Sequence, residues 1–375
     1  MSLDDIIFKT HLKKEKNIFL VLFFYNLRKI LGRKINLRNI LIIFLQTSNM
    51  ENNKSTRRTF LRNVSLATAA TAVPAAAMAM EPKQPAAPAA QTRRKGPKRG
   101  VSVYSYSAEY GITKSLEDCF EDIHDMGATG IEILAHGHID NYPYPTEEWY
   151  KQWWALCDKY EIEPAEYGHW IDGRVMQTRD LTVDETVEYL ERDMRLAHRL
   201  GFKHLRTKVT VKDNQLAPID NWTEVVDKCL PLAEKLNVRM LPEIHSPSKI
   251  SEGFILYYVD YIKKRQTEYF GLNIDFSVFS INTRDPQSSI QPEEMIPLLP
   301  YVQCCHAKFK NMDTENFQET TIPYEKILKV LVDHEWDGYL LSEYENDTIK
   351  HGHDGFEVTH QLRAHHIMMK RILGY

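Results

Sequence analysis

From Gly100 to the C-terminus the sequence predicts an α/β protein made of a single (β/α)8 TIM barrel. Short β-rich runs alternate with amphipathic helical stretches eight times over this region, the rhythm of parallel βα units. No Gly-rich βα turn follows the first run, which removes the main reason to prefer an open doubly wound sheet. A polar residue suited to chemistry ends each of the last four runs, where an active site of this fold lies.

Strands are expected at Val101–Tyr106, Gly130–Leu134, Glu163–Tyr167, His204–Val209, Val238–Glu243, Gly271–Phe276, Val302–Lys308 and Gly338–Glu343, each short and rich in β-branched or aromatic residues. Helical spacing fills the intervals at Leu116–Met126, Thr146–Tyr160, Val183–Leu200, Trp222–Leu236, Gly253–Lys264, Pro292–Leu299 and Tyr324–His334, and Gly355–Ile372 closes the chain. Thr182-Val-Asp-Glu185 reads as a capping box that fixes one helix start.

Ahead of the barrel, Thr56-Arg-Arg-Thr-Phe-Leu-Arg62 resembles a twin-arginine export signal. A mild apolar run from Val64 to Met80 follows it, with small-x-small cleavage options such as Ala77-Met78-Ala79. That run is too alanine-rich and too short for a comfortable membrane span of ~20 residues, and the bland alternative is a basic, alanine-rich linker. Residues 50–80 are therefore expected to be a signal peptide and residues 81–100, rich in Pro, Ala, Lys and Arg, a tether. Residues 1–49 read as an upstream extension preceding a true start at Met50, with a basic interfacial anchor as the rival. The expected location is the periplasm or cell envelope.

The mature region, 101–375, is long enough for one large barrel. A formal charge of −4 and no basic face interleaved with aromatics argue against a nucleic-acid partner, and no stable membrane span is expected there. Five cysteines without a CxxC pair lie mostly in apolar patterns and read as buried thiols.

The fifth predicted strand ends in Glu243-Ile-His245, the sixth in Asn273-Ile-Asp275, the seventh holds His306-Ala-Lys308, and the eighth ends in Ser342-Glu343. A charge at a barrel strand is costly unless paired or bound to metal. Three carboxylates and an imidazole on successive strands form a set suited to one divalent ion: Mn²⁺, Zn²⁺, Mg²⁺ or Co²⁺. Taken singly, each could also be a capping or ion-paired residue at a βα junction.

On these residues the chain from Val101 onward resembles the xylose isomerase-like TIM barrels. This superfamily includes sugar isomerases, ketose 3-epimerases, inosose dehydratases and metal-dependent C-glycoside deglycosidases. The resemblance implies a metal held by Glu243, Asp275, His306 and Glu343. The match is best in the second half of the barrel. Ketose 3-epimerases often carry a His three residues after the metal-binding Asp, where this chain has Val278, whereas Glu243-x-His245 is similar to the Glu-Asn-His of non-epimerase members.

The implied chemistry is removal of a proton next to a sugar carbonyl that the metal polarises, the step shared by isomerisation, epimerisation and β-elimination. His245, two residues beyond Glu243 and so on its face, suits the base; Glu243 and Glu343 are the competing acid/base pair. Lys308 could donate to a developing oxyanion or serve as a structural ion pair. Substrate contacts are expected from His169, Trp170, Arg284, Tyr104 and His136, with Tyr106 and the loop His351-Gly-His353-Asp354 as further rim candidates. His136-Gly-His138 is not read as a metal pair, and His365-His366 read as surface or packing residues.

No Gly-rich phosphate loop appears near the last two strands, so an unphosphorylated sugar or glycoside is the expected substrate. The expected function is an exported metal-dependent sugar isomerase or epimerase. A lyase acting on a 3-keto-glycoside and a non-catalytic carbohydrate-binding barrel are the alternatives. A homo-oligomer and a small partner subunit are both compatible with the sequence.

Overall fold

The computed structural model describes residues 96–169, 181–207, 211–212, 217–251, 253–345 and 356–375. The twin-arginine stretch, residues 1–49, the tether up to residue 95, Trp170 and the loop His351–Asp354 lie outside the described residues.

Eight parallel strands close into a barrel: β1 (Lys98–Ser102), β2 (Gly130–Leu134), β3 (Glu163–His169), β4 (His204–Thr207), β5 (Arg239–Ile244), β6 (Leu272–Asp275), β7 (Val302–Phe309) and β8 (Tyr339–Tyr344). Each strand pairs with its sequence neighbours and β1 pairs with β8. The surrounding helices are α1 (Leu116–Asp125), α2 (Glu147–Tyr160), α3 (Val183–Arg199), α4 (Trp222–Leu236), α5 (Gly253–Arg265), α6 (Tyr324–Asp333) and α7 (Phe356–Leu373). The capping box forms: Glu185 N donates to Thr182 Oγ1 (3.2 Å) and Thr182 N donates to Glu185 Oε2 (2.8 Å), worth about 1 kcal/mol. Among the described residues no helix is long and apolar enough to cross a membrane.

The structure corrects two expectations. The first strand does not run to Tyr106; Val103–Tyr106 turns into a 3-10 helix, and Tyr344 N of β8 donates to Ser105 Oγ (2.9 Å) instead of to a strand carbonyl. Its start also moves, because Lys98, Arg99 and Gly100 of the expected tether already pair with β8. Gly100 suits that position, since a Cβ there would lie 2.7 Å from the carbonyl oxygen of Gly130. Pro292–Tyr301 is a 3-10 helix, where Pro297 and Pro300 supply no amide donors. Among the described residues the fourth strand spans His204–Thr207, Val209 lying outside them, and Val211–Lys212 forms a small antiparallel ribbon with Ala217–Pro218.

The main core fills the space between sheet and helices, with Phe120, Trp153, Tyr167 and Phe202 fully or almost fully buried. Burying such a side chain stabilises by roughly 1.5–3 kcal/mol. A second, smaller cluster of Ala165, Leu241, Cys304, Tyr339 and Leu341 is also buried. Leu241, Cys304 and Leu341 stand two residues before Glu243, His306 and Glu343, so the inward faces of β5, β7 and β8 turn from apolar to charged toward their C-terminal ends.

Helix α7 docks through a buried polar chain in place of a purely apolar seam. Arg99 Nη1 donates to His366 Nδ1 (3.0 Å), and Ser342 Oγ lies 3.0 Å from His366 Nε2 and 2.9 Å from His365 Nδ1. Because arginine only donates, neutral His366 carries its proton on Nε2 and gives it to Ser342, whose hydroxyl in turn donates to His365. Both histidines are packing residues, 0% and 1% exposed, and not surface ones. All five cysteines are buried and free.

Candidate metal centre

The C-terminal ends of β5 to β8 bring Glu243, Asp275, His306 and Glu343 together, with one potential ligand atom from each inside a 4.8 Å cluster. All four are buried: Asp275 is 0%, His306 1%, Glu343 5% and Glu243 8% exposed. His306 Nδ1 stands 3.1 Å from Glu243 Oε1 and 2.7 Å from Glu343 Oε2.

Each carboxylate has one oxygen committed elsewhere and the other available to the cluster. Asp275 Oδ1 accepts from Ser277 N (2.7 Å), Glu243 Oε2 accepts from Arg206 Nη1 (2.7 Å), and Glu343 Oε1 lies 3.3 Å from Lys308 Nζ. Asp275 Oδ2 and Glu343 Oε2 are buried without a hydrogen bond, although Lys308 Nζ and His306 Nδ1 stand at ion-pair distance from them. Three carboxylate oxygens and one imidazole nitrogen fit a divalent cation of the Mn²⁺, Mg²⁺, Zn²⁺ or Co²⁺ type.

Opposing fields balance the site. Burial disfavours the charged form of His306, but Glu132 and Glu343 outweigh it and hold the imidazolium well above the usual histidine range. Burial likewise opposes charge on Lys308, yet Asp275, Glu343 and Glu345 keep its ammonium protonated well above the ordinary value. Glu343 is pulled the other way: despite burial, Lys308 and His306 hold it ionised well below the usual carboxylate range. Burial raises Asp275.

Of the two readings open for Lys308, the structure displays the ion pair: Nζ lies 2.7 Å from Glu345, 3.2 Å from Asp275 and 3.3 Å from Glu343. Tyr104, half-buried, donates to Glu345 Oε1 (3.3 Å), and burial together with Glu345 pushes its phenol up to about 12. His245 is half-buried just beyond the end of β5, its Nδ1 2.8 Å from the Ser246 carbonyl oxygen. That contact assigns the Nδ1–H tautomer and puts the lone pair on Nε2.

The remaining rim candidates spread out. His136 is exposed in the turn Ala135–His138, while His138 is buried and its Nδ1 accepts from Leu134 N (2.8 Å). Arg284 is exposed in the loop beyond β6, its backbone N donating to Asn282 Oδ1 (3.0 Å). His169 is fully buried, with Nδ1 2.7 Å from Asp193 Oδ2 on α3 and Nε2 without a hydrogen-bond partner. Tyr106 is fully buried.

Sequence reasoning missed a lower layer of charge. Glu132 on β2, Glu166 on β3, Arg206 on β4 and Asn273 on β6 are all buried beside the four-residue cluster. His306 Nε2 lies 3.1 Å from Glu166 Oε2 and 3.2 Å from Glu132 Oε2, and Arg206 Nε donates to Glu132 Oε1 (3.1 Å). The signal was present for Glu132 and Arg206, which are charges in predicted strands like those of β5 to β8. The same signal was present for Glu166, in the predicted strand Glu163–Tyr167; its register was not, because Ile131 pairs with Pro164 but Glu132 pairs with Glu166, so that Ala165 is an extra residue.

A closed parallel barrel with carboxylates and an imidazole gathered at the C-terminal ends of its strands defines a (β/α)8 scaffold whose buried cluster has the geometry to hold a cation. The chain belongs to the xylose isomerase-like TIM barrel family, whose sequence profile matches residues 120–366. It is 24% identical to the 3'-dehydrocarminate deglycosidase alpha subunit of a Microbacterium species, over 74% of this chain and 96% of the relative. It is 23% identical to a C-glycoside deglycosidase alpha subunit of Arthrobacter globiformis, over 67% of this chain and 85% of that protein. The fold is similar to that of a D-psicose 3-epimerase crystallised in the presence of D-fructose, with TM-score 0.54 and 15% identity over 74% of this chain and 100% of that one. A sugar phosphate isomerase/epimerase from Parabacteroides distasonis gives TM-score 0.52 and 15% identity over 77% and 99% of the two chains.

Proposed function

We propose that this protein is a divalent-metal-dependent, sugar-modifying enzyme that removes the proton next to a carbonyl of an unphosphorylated sugar derivative. With a 3-keto-glycoside the loss of the C2 proton expels the aglycone from C1. The C1–aglycone bond breaks with its electron pair going to the aglycone, which is then protonated, and an unsaturated keto-sugar remains. The two deglycosidase alpha subunits, covered over most of their length, support this substrate class, and their names support a partner subunit.

The observation that favours elimination over epimerisation is the 2.7 Å contact from Arg206 Nη1 to Glu243 Oε2, buried on both sides. Epimerase-like relatives are expected to use two metal-bound glutamates as acid and base. Here Glu243 is fixed by a guanidinium that always stays charged, which makes it a poor proton acceptor. Proton abstraction then falls to His245, which follows β5 two residues beyond Glu243 and whose tautomer places the lone pair on Nε2. Lys308, held protonated by Asp275, Glu343 and Glu345, is not the base. A bound divalent ion would be held by Glu243, Asp275, His306 and Glu343 and would supply the Lewis acidity that makes a proton beside a carbonyl removable.

A sugar isomerase or epimerase is the second reading, favoured by Glu243 and Glu343 standing on either side of His306, the two carboxylates such an enzyme would use as acid and base. The stretch Thr56–Arg62 supports export to the periplasm or cell envelope of a protein already folded and metal-loaded. The test is to incubate the Mn²⁺-loaded full chain with 3-keto-glycosides and, separately, with free ketoses, and to identify the products by mass spectrometry. Release of an aglycone is expected. An isobaric sugar from the ketoses with no aglycone would establish the second reading, and a purified protein that binds no metal would indicate a carbohydrate-binding barrel.

A further inference from the structure

Two groups of buried side chains in this barrel have the geometry to hold a cation, and both use His306. Glu243, Asp275 and Glu343 form the upper group with it, Glu132 and Glu166 the lower. The imidazole stands between them: Nδ1 faces Glu243 and Glu343, whereas Nε2 lies 3.1 Å from Glu166 Oε2 and 3.2 Å from Glu132 Oε2. A histidine bridging two carboxylate groups could join two metals or could anchor one.

We propose that the lower group is not a second metal site. In our reading Glu132, Glu166 and Arg206 are positioning residues that aim His306 and Glu243 at a single cation. Arg206 decides the matter. Its side chain is 4% exposed, and it spans the two groups by donating from Nε to Glu132 Oε1 (3.1 Å) and from Nη1 to Glu243 Oε2 (2.7 Å). A guanidinium that cannot be discharged therefore already supplies the positive charge that the lower carboxylates require, and it repels a second ion.

Glu166 is aimed just as specifically. The bulge at Ala165 brings Glu166 into register with Glu132, and Asn273 Nδ2 donates (2.8 Å) to the same Oε2 that faces His306 Nε2. Donation from Nε2–H to that oxygen fixes the tautomer with its lone pair on Nδ1, toward the upper group. Glu166 Oε1 and Asn273 Oδ1 are buried without hydrogen bonds, the feature a second ion would exploit, so the two accounts differ in countable metal.

This inference rests on the metal-dependent reading above, and its test needs no substrate. Mn²⁺ bound per full chain is measured by equilibrium dialysis with elemental analysis, and the visible spectrum is recorded after saturation with Co²⁺. The wild type is expected to bind one ion. Glu166→Gln is expected still to bind one, with affinity weaker by about 10–100-fold and a shifted Co²⁺ spectrum, as for loss of other groups that orient a metal-binding histidine. Glu132→Gln is expected to act in the same direction and serves if the first variant does not fold. Two ions in the wild type falling to one in Glu166→Gln would overturn the proposal, as would unchanged affinity and spectrum in both variants. No bound ion at all would overturn this inference and metal dependence together, whereas one bound ion without turnover would overturn only the proposed reaction.

Discussion

Arg206 Nη1 and Glu243 Oε2 form a 2.7 Å ion pair inside the barrel, and the same guanidinium reaches Glu132 on the other side. Burial opposes the charges of Arg206 and Glu132, and they persist because oppositely charged neighbours compensate them. Arg206→Met would leave two buried carboxylates without that partner and should destabilise the metal-free protein by about 3–5 kcal/mol. Thermal unfolding of the two metal-free proteins checks this. Divalent metal should restore part of the loss by taking over Glu243, and a drop below ~1 kcal/mol would show that the pair carries little weight.

Gly168 makes room for that arginine. A Cβ at this position would stand 2.4 Å from Leu134 Cδ2 and 3.2 Å from Arg206 Nη2. Gly168→Ala is expected to cost roughly 1–3 kcal/mol through overpacking, read from urea unfolding, and to weaken metal binding by displacing Arg206 from Glu243.

Metal binding should release protons. His306 is held protonated well above its usual range in the metal-free site, and an imidazole must be neutral at the nitrogen that binds a metal. Affinity for Mn²⁺ should therefore rise with pH through the neutral range. Calorimetry in buffers of different ionisation enthalpy should detect a proton leaving on binding. A pH-independent affinity with no released proton would show His306 to be neutral already.

The acid limb of stability should carry a contribution of the opposite sign. Burial pushes His365 down to about 3 and His366 well below its usual value, so the unfolded chain binds protons near pH 6.5 that the folded chain refuses. Their contribution is fully present above that pH and is lost as pH falls below it. The raised His306 works against this in the metal-free state, since its stabilisation is present below pH 6.5 and is lost as pH rises through its folded value. Urea midpoints measured from pH 7.5 to 5 should show a shallower acid loss in His365→Phe than in the parent. Equal slopes would mean that His365 does not titrate on unfolding.

Much of this architecture was legible because a barrel strand announces itself by a short β-rich run and its chemistry by the charge at its end. Glu243, Asp275, His306 and Glu343 came from that logic and do converge. The lower layer is less legible, because Glu132, Glu166 and Arg206 lie inside their strands and not at the ends where chemistry is sought, and because the bulge at Ala165 sets the register of Glu166 with Glu132. The first strand was overextended because Val103–Tyr106 has β propensity but gives its partner's amide a serine hydroxyl, and Pro292–Tyr301 kept helical spacing while its prolines removed α-helical donors. His169, expected just beyond the third strand as a substrate contact, is the last residue of β3, and Asp193, far away in sequence, holds it in a fully buried pair.

The central claim is that His245 takes the proton while Glu243, Asp275, His306 and Glu343 hold the metal. The most direct measurement is deuterium incorporation at C2 of residual 3-keto-glycoside, followed by NMR in D₂O, for Mn²⁺-loaded wild type and His245→Ala of equal metal content. Exchange and aglycone release are expected for the wild type, with loss of both by at least about 10²-fold in His245→Ala. Exchange at the wild-type rate in the variant would contradict that claim and return the proton to a carboxylate.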